Sequence, residues 1–212
     1  MEGSVSKCLV RAVLAGMCIS IGGCVYVGCE VKWVWAILFA VGLSTILLYG
    51  FDLYTGKVGY IVENDRSFIP KVALILVGNF IGTLAVGLMI PMEGAEALAL
   101  RKLESFEFMP TLFKGVMCGM LMFIAADTYK HGKGLVPTFF CVPVFILAGF
   151  EHSIADMFYF CSGMVFSLDA LAFILVVALG NAIGGMLIPL GRKYMYEKPG
   201  DGIQDKVEKA DS

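Results

Sequence analysis

The apolar residues of this chain occur in long runs, and the charged residues cluster between those runs. Stretches without Asp, Glu, Lys or Arg cover residues 12–29, 33–51, 72–92, 115–126, 134–150 and 170–191. Four of these six have at least 18 residues, enough to cross a hydrocarbon core of about 30 Å as a helix. The run 115–126 reaches spanning length if its helix begins near Phe106 and places Lys114 near one end. The pattern predicts six transmembrane helices, and the short apolar run 157–168 predicts a half-helix.

The composition agrees with this pattern. Hydrophobic residues make up 58% of the chain and charged residues 16%, against roughly 45–50% and about 25% in soluble domains. We therefore expect an integral membrane protein in contact with the lipid bilayer. The 16 Lys and Arg nearly balance the 18 Asp and Glu, which argues against nucleic-acid binding. The seven cysteines are odd in number and lack CxxC spacing, so we expect neither a disulfide framework nor a metal site, and no cofactor.

The distribution of Lys and Arg predicts the orientation in the membrane. If the N-terminus lies in the cytoplasm, 12 of the 16 Lys and Arg fall in cytoplasmic segments, as the positive-inside rule requires. We therefore expect a multi-pass protein of the cell membrane (inner or plasma) with both termini cytoplasmic. The six spans predict one transmembrane domain, residues 1–192, followed by a polar cytoplasmic tail, residues 193–212.

Two short motifs occur twice along the chain. Gly50-Phe51-Asp52 returns as Gly149-Phe150-Glu151 after 99 residues, and Gly78-Asn79-Phe80-Ile81-Gly82 returns as Gly180-Asn181-Ala182-Ile183-Gly184 after 102 residues. Each copy contains three predicted spans, an odd number, so the second copy enters the membrane in the opposite sense. This is typical of an inverted 3+3 repeat, in which the substrate binds between the halves.

Polar residues interrupt the second and fifth predicted helices at the Gly-Phe-acid motif. Broken backbone inside a membrane is tolerated where it is buried in protein or lines a cavity, so both breaks are predicted to flank a pathway. We interpret Asp52 and Glu151 as support for the breaks, because a carboxylate can accept hydrogen bonds from freed backbone N–H groups. The Gly-xxx-Gly pairs favour close helix packing, and Asn79 and Asn181 can hydrogen-bond across such contacts.

These residues resemble the signatures of the formate/nitrite transporter family. The resemblance rests on Leu53-Tyr54-Thr55-Gly56, on Gly149-Phe150-Glu151-His152-Ser153-Ile154-Ala155 and on Gly180-Asn181-Ala182-Ile183-Gly184-Gly185, and it covers roughly residues 9–192. It implies an all-α, aquaporin-like protomer with six transmembrane helices and a homopentameric assembly. It also implies transport of small monovalent anions of weak acids: formate, nitrite, hydrosulfide, and in some branches acetate or lactate.

The resemblance also implies which residues line the pathway. His152 matches the central histidine of the family, Thr55 faces it, and the vestibule lysine is best matched by Lys102, with Arg101 as an alternative. The resemblance implies two apolar constrictions, one formed by Phe39, Leu43 and Phe145 and the other by Leu53 and Tyr54. The residues that we expect to support the helix breaks are Asp52, Gly56, Glu151, Asn79 and Asn181. This chain departs from the family, which commonly has Asn at the positions of Gly119 and Asp156 and a neutral residue at that of Lys57.

A comparison of energies predicts the species that crosses the constrictions. Moving a carboxylate-sized ion into a medium of low dielectric costs on the order of 20 kcal/mol in the Born limit. Protonating an acid of pKa about 3.9 at pH 7 costs only about 4 kcal/mol. We therefore expect the substrate to pass with a proton as the neutral acid, with Lys102 concentrating the anion. Burial favours a neutral His152, and the sequence leaves open whether this residue donates the proton.

Three other interpretations were weighed against this one. A hydrosulfide-preferring or acetate/lactate-preferring member of the same family fits the same residues. An aquaporin-type channel for neutral solutes shares the inverted repeat, but the expected Asn-Pro-Ala pair does not occur in this sequence. A membrane-embedded enzyme is not expected, because HExxH, GxSxG and GxxxxGK motifs do not occur in the sequence.

Overall fold

The computed structural model describes the backbone of residues 2–196 and is helical. Residues 197–212, which form most of the predicted tail 193–212, lie outside the described residues. The helices are α1 (Glu2–Gly28), α2 (Lys32–Tyr49), α3 (Tyr54–Lys57), α4 (Phe68–Met89), α5 (Ala95–Glu104), α6 (Phe108–Lys130), α7 (Val136–Leu147), α8 (Ser153–Ser162) and α9 (Leu168–Tyr196), with a 3₁₀ helix at Val58–Glu63.

Within residues 2–196, five helices are long and apolar enough to cross a membrane. They are α1, from Val5 onward, α2, α4, α6 and α9. The predicted fifth span, 134–150, is instead the 12-residue helix α7, followed by a break and by α8. The predicted half-helix 157–168 corresponds to α8, which begins four residues earlier, at Ser153, and ends at Ser162. The fold is that of an all-α membrane protein with interrupted helices.

The two helix breaks have the same backbone geometry. Gly50 after α2 and Gly149 after α7 adopt left-handed conformations, with φ of 67° and 71°. The next residue then turns back on its helix: Phe51 N–H donates to the Ile46 carbonyl and Phe150 N–H donates to the Phe145 carbonyl, both at 2.9 Å. This closure of a helix C-terminus favours glycine, because a side chain at positive φ is strained. The repeat in the sequence is thus a repeat in structure.

The Gly-xxx-Gly pairs bring long helices into backbone contact within the protomer. A Cβ atom at Gly82 of α4 would lie 2.1 Å from the Val13 carbonyl oxygen of α1. A Cβ atom at Gly184 of α9 would lie 1.9 Å from the Val116 carbonyl oxygen of α6. The predicted packing role of these glycines is therefore confirmed. Both glycines are thus used for helix contacts inside the protomer.

The largest apolar core lies where the two halves of the repeat meet. Its fully buried side chains come from both halves and include Ile19, Phe39, Leu43, Leu53, Ile75, Met122, Ile154 and Phe158. The short helices α3 and α8 begin at this core, so the residues that follow each break lie in the middle of the molecule.

Candidate functional site

The two breaks place one polar pair at the centre of the protomer. Thr55 lies in the first turn of α3, and His152 is the residue immediately before α8. Thr55 Oγ1 lies 3.0 Å from His152 Nε2. Both side chains are buried, with exposed fractions of 0% and 2%. The pair comes from residues 97 positions apart and joins the two halves of the repeat.

The hydrogen bonds of His152 fix the tautomer of its ring. Nδ1 accepts a hydrogen bond from the Ala155 N–H at 3.1 Å and so caps the N-terminus of α8. A nitrogen that accepts a hydrogen bond carries no proton, so the ring is neutral and Nε2 carries the N–H. Nε2 therefore donates to the Thr55 hydroxyl. The ring of Phe145 stacks near the imidazole, with a centroid distance of 5.7 Å.

A buried asparagine amide stabilises each break. Asn79 Oδ1 accepts from the Tyr54 N–H at 2.8 Å, and its Nδ2 donates to the carbonyls of Ala12 and Asp52. In the second half Asn181 does the same: it accepts from the N–H of Ser153 and donates to the carbonyls of Gly115 and Glu151, each at 2.9 Å. These amides satisfy backbone groups that the broken helices leave without a partner.

The carboxylates of Asp52 and Glu151 have a different role from the one we expected. The N–H groups of Tyr54 and Ser153 bond to the asparagines, and those of Asp52 and Glu151 donate to backbone carbonyls, while both carboxylates pair with cationic side chains. Asp52 Oδ2 accepts from Arg11 Nε at 2.8 Å, and Asp52 Oδ1 lies 3.2 Å from Lys57 Nζ. Glu151 Oε2 accepts from Lys102 Nζ. The carboxylates therefore set the charge at each break rather than cap its backbone.

A cavity of about 270 Å³ opens beside the second break. Its lining comes from α1, α5, α7 and α8 and includes Tyr26, Lys102, Phe145, Glu151, His152, Asp156 and Tyr159. Lys102, the expected vestibule lysine, lies in the last turn of α5, and its side chain is only 15% exposed. The ammonium also lies over the rings of Tyr159 and Phe173, at 5.8 and 5.7 Å from their centroids.

Lys102 holds two carboxylates and not one. Besides Glu151, its Nζ lies 3.0 Å from Oδ1 of Asp156, whose side chain is 2% exposed. Burial alone would lower the pKa of the Lys102 ammonium, but Asp156 and Glu151 raise this pKa above its usual value, so Lys102 stays charged. Sequence reasoning noticed Asp156 only as a departure from the family pattern. Asp156 follows Glu151 by five residues, just as Lys57 follows Asp52. This equal spacing in the repeat is the feature of the sequence that could have indicated a role for Asp156 at the second break.

A second cavity of about 190 Å³ opens beside the first break. It is lined mainly by apolar residues, with cations at the edge: Leu43, Ile46, Leu53, Lys57, Tyr60 and Lys130 are among its residues. Lys130 Nζ lies 4.0 Å from the centroid of the Tyr60 ring. The Tyr60 hydroxyl donates to Asp127, which also pairs with Arg192. The first cavity thus has His152 in its lining, and the second has Leu53 and Gly56, which lie within two residues of Thr55 in the chain.

The structure distributes the predicted constriction residues between the two cavities. Phe145 lines the cavity of Lys102 and packs edge-to-face against Phe39, with ring centroids 5.9 Å apart. Leu43 and Leu53 line the other cavity together. Tyr54 is buried, and its hydroxyl donates to the Ala178 carbonyl at 3.0 Å. Gly56 is also buried, with a Cβ position 3.3 Å from Ala126. The cavity of Lys102 thus reaches His152 itself, with the ring of Phe145 beside it, and the apolar Leu43 and Leu53 lie in the wall of the other cavity.

Comparison with known proteins gives consistent relatives. The nitrite transporter NirC of Escherichia coli is 25% identical over 205 residues, covering 82% of this chain and 75% of the relative. A probable formate transporter of Methanothermobacter thermautotrophicus is 24% identical, covering 88% and 87%. A solved pentameric formate channel with formate bound superposes with a TM-score of 0.74 at 20% identity, covering 93% of this chain and all of the other. That likeness confirms the fold.

The family assignment rests on nearly the whole chain. The model of the formate/nitrite transporter family matches residues 1–195. Members with this fold include channels and transporters for small anions, so the chain is a multi-pass membrane transport protein and not an enzyme. It belongs to the formate/nitrite transporter family.

Proposed function

We propose that this protein conducts small monovalent anions of weak acids, of the formate and nitrite class, and that each anion crosses together with a proton as the neutral acid. The single observation that carries the proposal is the buried, hydrogen-bonded pair of Thr55 and neutral His152 between two cavities. A neutral molecule with one acceptor oxygen and one hydroxyl matches this pair, because His152 donates through Nε2 and Thr55 both donates and accepts.

The energy of the crossing supports a neutral substrate. The side chains on either side of the central pair are apolar: Phe39, Phe145, Leu43 and Leu53. An ion placed among them loses its hydration, at a cost on the order of 20 kcal/mol in the Born limit. Protonation at pH 7 of an acid with pKa about 3.9 costs about 4 kcal/mol. The difference favours proton-coupled, electroneutral passage.

His152 serves this passage as a hydrogen-bond donor rather than as the source of the proton. Its Nδ1 caps α8 through the Ala155 N–H, so protonation there would break the cap and leave a buried charge. The proton therefore arrives with the substrate from a vestibule. Lys102, in the wall of the larger cavity, attracts the anion to the place where it takes up the proton.

The constrictions select by size and polarity. In this proposal Phe39, Leu43 and Phe145 form one apolar slit, and Leu53 with Tyr54 contributes the other. Leu43 and Leu53 line the same cavity, so Leu43 belongs both to the first slit and to the wall of the second cavity. Asn79 and Asn181, together with the buried Gly56, keep the breaks in the geometry that holds Thr55 and His152 together, while Asp52 and Glu151 set the charge beside them.

The assembly and orientation belong to the same proposal. We expect a homopentamer with one pathway per protomer, in the cell membrane, with both termini in the cytoplasm and the whole transmembrane unit formed by residues 1–192. The solved pentameric formate channel of the same fold supports the assembly, and the excess of Lys and Arg on one side supports the orientation. Native mass measurement in several mild detergents tests the assembly: a monomer or tetramer throughout would contradict it.

A competition assay tests the substrate class. The purified full chain in proteoliposomes is given radiolabelled formate under a defined pH gradient, with nitrite, hydrosulfide, acetate or glycerol as competitor. We expect nitrite and the other weak-acid anions to reduce formate uptake and glycerol to leave it unchanged. Glycerol permeation with no formate uptake would instead identify an aquaporin-type channel for neutral solutes.

A further inference from the structure

In the cavity beside the second break, the charged side chains that contact one another are two carboxylates and one ammonium. The carboxylates of Glu151 and Asp156 both contact the single ammonium of Lys102. With both carboxylates ionised, this cluster of three carries a net charge of minus one. The three side chains are at most 15% exposed, so water screens their interactions poorly. An anion approaching this cavity therefore meets a net repulsion, although Lys102 lies in its wall.

One oxygen of this cluster has no partner. Asp156 Oδ1 faces Lys102, but Oδ2 is buried without a hydrogen-bond partner among the described residues. An ionised carboxylate oxygen left unpaired in a buried position is unfavourable, whereas a protonated one can donate to a neighbouring acceptor. Asp156 lines the same cavity as Glu151, the other carboxylate on Lys102. The geometry therefore has a place for one proton.

The other polar groups around the cluster do not supply a balancing charge. His152 is neutral, and its Nδ1 already accepts a hydrogen bond. Arg101, the other cation in the lining, is exposed on α5, so water screens its charge and it offsets the buried cluster only weakly. The remaining titratable side chains near the cluster, from α1, α6 and α8, are uncharged thiols and phenols: Cys24, Tyr26, Cys118 and Tyr159.

We propose that Glu151 and Asp156 share one proton, and that this proton is a co-ligand which the cavity must take up before Lys102 can hold the substrate anion. Two carboxylates that face one cation ionise stepwise, and the second ionisation is the unfavourable one. With the proton bound, the cluster is neutral and Lys102 attracts an anion. Without it, the cluster repels one. The second carboxylate, Asp156, is therefore the reason that the anion and the proton bind together in this cavity.

The proton balance of this step is simple. Water on the vestibule side supplies one proton to the carboxylate pair, and the small anion then binds beside Lys102, so the cavity gains one proton and one negative charge. Transfer of that proton from the carboxyl to the anion gives the neutral acid and restores the ionised pair. The step rests on the proposed function only for the identity of the anion; the shared proton itself is a property of the empty cavity.

Calorimetry counts the proton. Formate is titrated into the detergent-solubilised full chain in buffers of different ionisation enthalpy, between about pH 5 and pH 9. At the alkaline end we expect the protein to take up about one proton for each formate bound. The affinity for formate should fall up to tenfold for each unit by which the pH rises. Asp156→Asn keeps the size and the contact with Lys102 but removes the second carboxylate, so formate should bind this variant without proton uptake and with little dependence on pH.

Infrared spectroscopy tests the shared proton without any substrate. The C=O stretching band of a protonated carboxyl should appear in the unaltered protein as the pH is lowered from about 9 to about 6, a range in which exposed carboxylates with a pKa of roughly 4 stay ionised. It should be missing in Asp156→Asn and equally in Glu151→Gln, because the single remaining carboxylate stays ionised opposite Lys102. The exposed Asp169 of α9 provides the control Asp169→Asn, which should retain the band.

The two measurements separate the possible failures. A band that persists in Glu151→Gln would show that Asp156 holds a proton alone, and a band that persists in both variants would place the proton elsewhere; either result overturns the proposal. Formate binding without proton uptake in the unaltered protein would overturn it as well. If formate and nitrite fail to bind while the band behaves as expected, the shared proton stands and the proposed substrate class is wrong.

Discussion

The two helix breaks of this protein share one backbone design and carry opposite charges. At each break a glycine ends the helix, a buried asparagine holds the backbone, and an acidic residue follows. Five residues after that acid the first half has Lys57 and the second half Asp156. The first cluster, Arg11 with Asp52 and Lys57, therefore has a net charge of plus one, and the second, Lys102 with two carboxylates, minus one.

Exposure separates the two clusters further. Arg11 and Lys57 have side chains that are 43% and 39% exposed, whereas Lys102 and Asp156 are 15% and 2% exposed. Charges at the first break are screened by water and salt, and those at the second act at short range in a poorly solvated cavity. The two halves thus share their backbone geometry. The residue five positions after the acid, Lys57 in one half and Asp156 in the other, gives the two clusters their opposite net charge.

The largest effect is expected from the asparagines, where the halves should behave alike. Asn79→Leu and Asn181→Leu each leave three buried backbone groups without their partner, which costs on the order of 4 kcal/mol. Thermal unfolding in detergent should show a similar large fall in both. The exposed Asn64 serves as the control, because Asn64→Leu should change stability little. A large loss in one half only would break the equivalence of the two designs.

A smaller and again symmetric loss is expected from the glycines. Gly82→Ala and Gly184→Ala place a Cβ atom against a backbone carbonyl, which neither helix can avoid without moving apart, at a cost of about 2 kcal/mol. Gly191 lies on the same helix as Gly184 with open space around its Cβ position, so Gly191→Ala should stabilise by up to about 1 kcal/mol. Unfolding curves of the three variants check this, and equal melting of Gly184→Ala and Gly191→Ala would contradict the packing account.

The constrictions offer a test at equivalent positions of the two halves. Phe145 and Ile46 occupy the same place before their breaks, and each lines its own cavity. Phe145→Ala removes a ring that contacts both Phe39 and His152, so uptake of acetate relative to formate should rise roughly tenfold. Ile46→Ala should change this ratio less. Folded Phe145→Ala with unaltered rate and selectivity would remove Phe145 from the slit.

The smallest effect is expected from the exposed charges. Lys57→Gln should lower formate uptake only about twofold, and this loss should vanish in high salt, which already screens the first cluster.

The buried counterpart at the second break is Lys102. Lys102→Gln leaves two carboxylates uncompensated and should lower uptake roughly fivefold, a loss that persists in high salt. Initial rates at low and high ionic strength measure both. If salt rescued Lys102→Gln as fully as Lys57→Gln, the contrast in burial would have no functional meaning.

The sequence predicted the features that depend on local pattern. The repeat located both breaks, the glycine pairs predicted close packing, and the family resemblance brought Thr55 and His152 together, as the 3.0 Å contact confirms. The role of Asn79 as a hydrogen-bonding residue was also expected, although its target, the backbone of the break, was not.

The charge clusters could not be predicted, because they depend on how distant elements meet. The polar segment 95–104 gave no sign that it folds as α5 next to the second break. Without the position of α5, the contact between Lys102 and Asp156 cannot be predicted from the sequence. For the same reason Asp52 and Glu151 were assigned to the backbone, which the asparagines in fact satisfy. The length of α7 was overestimated because the apolar run 134–150 continues through the break.

The central claim is that the substrate and a proton cross together as a neutral acid, and simultaneous recording of current and proton uptake tests it most directly. Proteoliposomes that contain the full chain are given a formate gradient while membrane current and internal pH are followed. The account predicts about one proton per formate, no net current, and an uptake that rises up to tenfold for each unit of pH drop well above the pKa of formic acid. A robust formate current that is insensitive to pH and moves no protons would contradict it.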